Sequence, residues 1–123
     1  MMDRYREVIE RILELLDTMK EGLDYVQVQL TELKYEEALV VIKDIVDALD
    51  SIYNSIQPME SELPENNLAA FTTSIKYNMD NVIKSYEQGK EAYVSEQIEK
   101  GIVPSFLVWK KEIERVLRPY VIS

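Results

Sequence analysis

Tyr5-Arg6-Glu7-Val8-Ile9-Glu10-Arg11-Ile12-Leu13-Glu14-Leu15-Leu16-Asp17-Thr18-Met19-Lys20-Glu21-Gly22-Leu23-Asp24-Tyr25-Val26-Gln27-Val28-Gln29-Leu30-Thr31-Glu32-Leu33 is the stretch that decides the fold. Its positions 5, 9, 12, 16, 19, 23, 26, 30 and 33 are apolar and alternate steps of four and three. That rhythm lines one side of an α-helix and leaves the other side polar. Glu7, Glu10, Glu14, Asp17, Glu21 and Asp24 follow the same rhythm half a turn away, so they read as a solvated stripe. A helix of about 30 residues, roughly 45 Å long, is predicted from an N-cap at Asp3 to about Glu32. Gly22 lies beside its seam and implies close approach of a neighbouring helix.

A seam of this length requires partners, and the chain supplies them. Ala38, Ile42, Ile45, Leu49, Ile52, Ile56 and Met59 repeat the spacing after a tight turn over residues 31–34, and Pro58 ends this second helix near Gln57. Residues 58–67 read as a loop, with Asn66 or Asn67 capping the third helix. Leu68, Ile75, Met79, Val82, Tyr86, Gly89 and Tyr93 form a poorer, more aromatic third seam, widened by Phe71 and Ile83. Ile102, Phe106, Trp109, Ile113, Val116 and Tyr120 form the fourth, with a kink or break expected at Gly101–Pro104 and an end at Pro119. Tyr5, Tyr86, Tyr93 and Tyr120 are expected in the seams near helix ends, where a ring is buried and its hydroxyl still finds a partner. The predicted fold is all-α: an antiparallel up-down-up-down four-helix bundle made of two long helical hairpins, about 3–57 and 66–119, forming a single domain over 1–123. A shift of 61 residues overlays much of the second helix on the fourth, whereas the two hairpin turns need a shift nearer 55. A hairpin duplication and chance alignment of amphipathic helices both explain this.

Composition bounds the chemistry. The 123 residues are 46% apolar and 30% charged, with three Gly and four Pro, a globular balance able to bury a core without staples. Cysteine and histidine are both absent. Ser-His-Asp and Cys-His catalysis, thiolate zinc sites and the Glu-x-x-His di-iron bundles therefore drop out on ligand chemistry. The start Met1-Met2-Asp3-Arg4-Tyr5-Arg6 lacks the apolar core of a signal peptide, and Ile102–Trp109 is too short to span a bilayer, so a cytoplasmic protein is expected. Net charge is −9, all of it in residues 1–63, with six Lys/Arg against fifteen Asp/Glu; residues 64–123 balance at eight and eight. Such a field repels phosphate backbones and anionic lipids, so neither nucleic acid nor membrane is expected as a partner.

Two functional readings remain. Glu7-Val8-Ile9-Glu10 and Glu21-Gly22-Leu23-Asp24 superficially resemble the carboxylate pairs with which all-helical nucleotide pyrophosphohydrolases hold magnesium. Here, however, both lie on one helix, about 16 Å apart, where that family brings them together from two. Asp44, Asp47 and Asp50 fall at outward positions of helix 2 and also read as solvated. A magnesium-dependent nucleotide phosphate hydrolase using these acids is thus the alternative, and no cofactor, metal site or small-molecule substrate is expected. The leading reading is a non-catalytic protein–protein interaction module, adaptor or small chaperone-like, with a protein partner or a second copy of itself. It rests on apolar residues in the wrong phase: Tyr77 on helix 3, Leu107 and Val108 on helix 4, and Val28 and Val40 near the first turn. For Leu107 a second reading stands, in which a kink at Pro104 turns it back into the core.

Leu33-Lys34-Tyr35-Glu36-Glu37-Ala38-Leu39 looks like the start of the second helix of a tetratricopeptide repeat, but no 34-residue period follows, and the peptide groove of that repeat is not implied. Over most of its length the chain resembles an uncharacterised family of small helical proteins from Gram-positive bacteria. The likeness rests on the Lys34-Tyr35-Glu36-Glu37-Ala38 turn, the Ile102–Trp109 segment with Pro104, and Arg118-Pro119. It implies a helical fold and brings no activity or site residues.

Overall fold

The structure is a computed structural model that describes residues 2–122. It is all-helical, with no strand among the described residues. Four long helices carry the chain: α1 is Arg6–Thr31, α2 is Tyr35–Ile56 and α3 is Leu68–Glu87. The fourth, α4, covers 94–117. It is α-helical over Val94–Gln97, widens to a π turn over Ile98–Ile102, and is α-helical again over Val103–Leu117. No helix among the described residues is long and apolar enough to cross a membrane.

The heptad positions become the core. Ile9, Ile12, Leu16, Met19, Leu23, Val26 and Leu30 of α1 join Ala38 to Ile56 of α2, Leu68 to Val82 of α3 and Phe106 to Val116 of α4 in one buried cluster. Each large side chain removed from water there contributes about 1.5–3 kcal/mol before conformational entropy is subtracted. α1 packs chiefly on α2, and α3 on α4, while α2 also meets α3 and α1 meets α4. Gly22 faces α2: a Cβ there would stand 3.5 Å from Val41 Cγ1 and 3.6 Å from Ile45 Cδ1, so the helices approach closely, yet an alanine would fit.

Polar side chains link elements far apart in sequence. The Tyr5 hydroxyl donates to the Pro58 carbonyl at 3.1 Å and the Tyr86 hydroxyl to the Tyr35 carbonyl at 2.9 Å. Trp109 Nε1 donates to Thr72 Oγ1 at 3.0 Å inside the core, which satisfies both groups where an unpaired one would be costly. Lys76 pairs with Asp50 at 2.8 Å, Lys110 with Asp17 at 3.5 Å, and Arg6 donates to the Val121 carbonyl at 2.9 Å.

Several boundaries differ from those expected, each for a physical reason. Asp3 lies in a 3-10 turn, Met2–Tyr5, and α1 begins after it with Tyr5 at the N-cap and no capping side chain. Leu33 is not in the seam. It is 69% exposed and adopts φ +59°, beyond the end of α1. The Lys34 N–H reaches the Gln29 carbonyl and the Leu33 N–H the Leu30 carbonyl, the two bonds of a Schellman turn, which demands a left-handed residue at position 33. The turn after α3 closes alike, with Gly89 at φ +69° and N–H bonds from Lys90 to Ser85 and from Gly89 to Tyr86. Pro58 does end α2, but the chain continues as a 3-10 helix, Gln57–Glu62, that buries Met59. Asn66 Oδ1 accepts the Leu68 N–H at 3.0 Å in the turn that leads into α3, whose N-cap residue, Asn67, makes no side-chain cap bond.

α4 starts at Val94, well before Gly101, and the expected kink is a π turn. In a regular α-helix the Pro104 ring would collide with the Lys100 carbonyl and leave it without a donor. Widening by one residue relieves that collision. The Gly101 carbonyl accepts from Ser105 Oγ at 2.7 Å, and Asn78 Nδ2 donates to the same Ser105 oxygen at 2.7 Å. Tyr93, expected in a seam, is exposed, because the register of α4 begins one residue after it. Tyr5, Tyr86 and Tyr120 are half-buried against the core, as their spacing implies.

Candidate functional site

The predicted contact residues are all on the surface. Tyr77 on α3 is 66% exposed, and Leu107 and Val108 on α4 are 45% and 49% exposed. Val28 on α1 and Val40 on α2 are exposed as well. Leu107 is outward because Phe106 and Trp109, its neighbours in the same stretch of helix, face the core. Val108 joins Phe71, Ser74, Pro104 and Ser105 around a shallow groove of ≈ 290 Å³ between α3 and α4. Tyr77 and Leu107 do not line it. Val28 and Val40 stand near the α1–α2 turn, which Leu33 tips.

The acids of α1 point to water, and three of them pair along their own helix. Glu7 meets Arg11 at 2.8 Å, Glu10 meets Arg6 at 3.3 Å and Asp24 meets Lys20 at 2.7 Å. Among the described residues no three carboxylates gather closely enough to hold a metal ion. On α2, Asp44 and Asp47 are exposed and Asp50 is held by Lys76, whose hydrogen bond to that carboxylate raises the ammonium pKa.

Among the described residues one carboxylate side chain is buried. Glu112 accepts the Asn67 N–H at 2.9 Å and two bonds from Arg115, at 2.7 and 3.0 Å, while Arg115 also reaches the Glu65 carbonyl. Arg115 holds the carboxyl below the ordinary range, burial opposes this, and the Asn67 N–H adds to the lowering. The cluster fastens the start of α3 to α4. Tyr86 is shifted upward. Burial first, then the charges of Glu91 and Tyr35, push its hydroxyl up to about 12.

A site that sequence reading did not find lies where α3, its following turn and the start of α4 meet. Lys84 from α3, Gln88, Lys90 and Tyr93 from the connection, and Gln97 and Lys100 from α4 surround an open groove of ≈ 860 Å³. Gly101, within the π turn, forms part of its wall. Lys100 is paired with Glu96 at 3.0 Å, which raises its pKa. The Gln97 Oε1 atom is buried without a hydrogen-bond partner among the described residues. No local pattern in the sequence marks these residues, because they come together only when the helices pack. Heptad spacing alone places Tyr93 in a seam, and its exposure follows only from where α4 begins. Elsewhere, a void of ≈ 20 Å³ beside Trp109, walled by Ile52, Ile56, Leu63 and Leu68, has room for about one water molecule.

Residues 7–112 match the family described as a domain of unknown function (DUF8042), and the chain belongs to that family. No curated protein and no solved structure matches the chain.

Proposed function

We propose that this family member is a non-catalytic protein–protein interaction module, adaptor or small chaperone-like, built as a single antiparallel up-down-up-down four-helix bundle from hairpins spanning about 3–57 and 66–119. The register of the contacts supports the bundle. Tyr5 with Pro58, Asp50 with Lys76, Thr72 with Trp109, and Asp17 with Lys110 link α1 to the end of α2, α2 to α3, α3 to α4, and α4 to α1. Within the α2–α3 and α3–α4 pairs, contact numbers fall on one helix as they rise on the other. Tyr35 meets Tyr86 where Asp50 meets Lys76, and Asn67 meets Glu112 where Asn78 meets Ser105.

The observation that carries the functional reading is the exposure of Leu107 and Val108 beside each other on a helix whose opposite face, Phe106 and Trp109, is fully buried. Apolar side chains exposed side by side are candidate contact residues. The occupant we favour is a second copy. The α3–α4 half is charge-balanced, eight basic against eight acidic residues, so two copies meeting there keep their acidic α1–α2 faces apart. Tyr77 is a further exposed aromatic on the α3–α4 half, while Val28 and Val40 offer a separate contact at the α1–α2 end. The reading includes a cytoplasmic setting in a Gram-positive bacterium, supported by the cysteine-free composition and the resemblance described above.

Sedimentation from micromolar to high-micromolar protein tests the reading. A concentration-dependent dimer is expected, abolished by L107E/V108E with stability changed by no more than about 0.5 kcal/mol, as for a surface site. A strict monomer at every concentration overturns the second copy as occupant, and a dimer unaffected by L107E/V108E overturns this surface.

A further inference from the structure

We infer that the groove between the end of α3, its following turn and the π turn of α4 binds a small phosphorylated ligand with a planar ring, a nucleoside di- or triphosphate being the class that uses all its features. The first observation is charge. Of the 14 Lys and Arg, only Lys43, Lys84, Lys90 and Lys111 have no carboxylate within ion-pair distance among the described residues. Two of these four line the same groove, in a chain where acids outnumber bases by nine. With Lys100 they supply three ammonium groups against one lining carboxylate, Glu96, which Lys100 already holds. Ammonium groups left without partners beside a concavity suit a polyanion, whose oxygens accept several charge-assisted hydrogen bonds at once.

The second observation is shape and polarity. At ≈ 860 Å³ the groove lies in the range of small-molecule sites, about 300–1,000 Å³, although it is open on one side. Tyr93 is 63% exposed on its rim, so an aromatic face is free for a ring to stack on. Gln88 and Gln97 add side-chain amides to the lining, groups that both donate and accept hydrogen bonds. The π turn belongs to the same picture: such widenings recur at functional sites, and this one places Gly101 in the groove wall. Binding requires no chemical step, so the site is compatible with the non-catalytic module proposed above and does not depend on it.

The test is an NMR amide titration of the intact chain at low ionic strength with ADP, pyrophosphate, citrate and adenosine, each to millimolar concentration. ADP is expected to move the amide signals of Gly89 and Gly101, with pyrophosphate, citrate and adenosine each about tenfold weaker or worse. K84Q/K90Q should weaken ADP by about tenfold with an unchanged thermal melt, and Y93A should weaken ADP while leaving pyrophosphate unaffected. No shift with any ligand at millimolar concentration overturns the site. Pyrophosphate or citrate binding as tightly as ADP overturns the nucleoside assignment, and ADP binding unchanged in K84Q/K90Q overturns the lysines as its anchor.

Discussion

Leu33→Gly deletes a large apolar side chain and is nevertheless expected to raise stability. Leu33 holds φ +59° at the Schellman position after α1, and an L-residue in the left-handed region costs about 1–2 kcal/mol. Its side chain is 69% exposed, so truncation forfeits little burial. Against the relieved strain stands the extra freedom that glycine gives the unfolded chain, about 0.4–1 kcal/mol. The balance is a gain of about 0.5–1 kcal/mol, or about 2–5 °C in Tm for a chain of this size. The turn after α3 provides the mirror experiment. Gly89 holds φ +69° with nothing within 4 Å of where a Cβ would sit, so Gly89→Ala adds no clash, and its expected loss of about 1 kcal/mol is purely conformational. Urea unfolding followed by far-UV circular dichroism measures both, provided the m-value is unchanged. A lower midpoint for Leu33→Gly, or shifts of the same sign in the two variants, would refute the assignment of these turns.

Two further predictions concern the perturbed groups. Glu112 is held below its ordinary pKa in the folded state, so its contribution is complete above the unfolded value of about 4.3 and is lost as pH falls through the folded one. Glu112→Gln should cost about 1–2 kcal/mol at neutral pH and flatten the acid limb of the stability profile; an acid limb identical to the parent's would show that the cluster does not form. Tyr86 is raised to about 12, so the folded state keeps a proton that the unfolded chain loses near pH 10, and stability should fall as pH rises between these values. Tyr86→Phe should cost about 1 kcal/mol at neutral pH through the lost bond to the Tyr35 carbonyl and remove that alkaline decline, as chemical unfolding at a series of pH values will report.

The helical class and nearly all of the core were legible in the chain before any packing was known. Ile9, Leu16, Ile42, Leu49, Ile75, Phe106 and Trp109 are buried because helical periodicity assigns a face to each residue from its neighbours three and four positions away. The acidic stripe of α1 follows the same local rule and is exposed throughout. The outward phase of Tyr77, Val108, Val28 and Val40 was equally readable, whereas for Leu107 the spacing left a buried alternative open that its 45% exposure decides.

Where the reading went astray, the deciding interaction lay outside the local pattern. Leu33 continues the heptad count, but the chain turns back at that point, and the turn geometry overrides the spacing. Tyr93 fell out of phase because α4 restarts after a 3-10 turn, and the obstruction at Pro104 is absorbed by a π turn with carbonyl partners on Ser105 and Asn78. Burial is periodic along a helix, and one dimension suffices to read it. The meeting of Lys84, Lys90, Lys100 and Tyr93 around one groove depends on how α3 and α4 pack across a turn, and only the tertiary structure decided that.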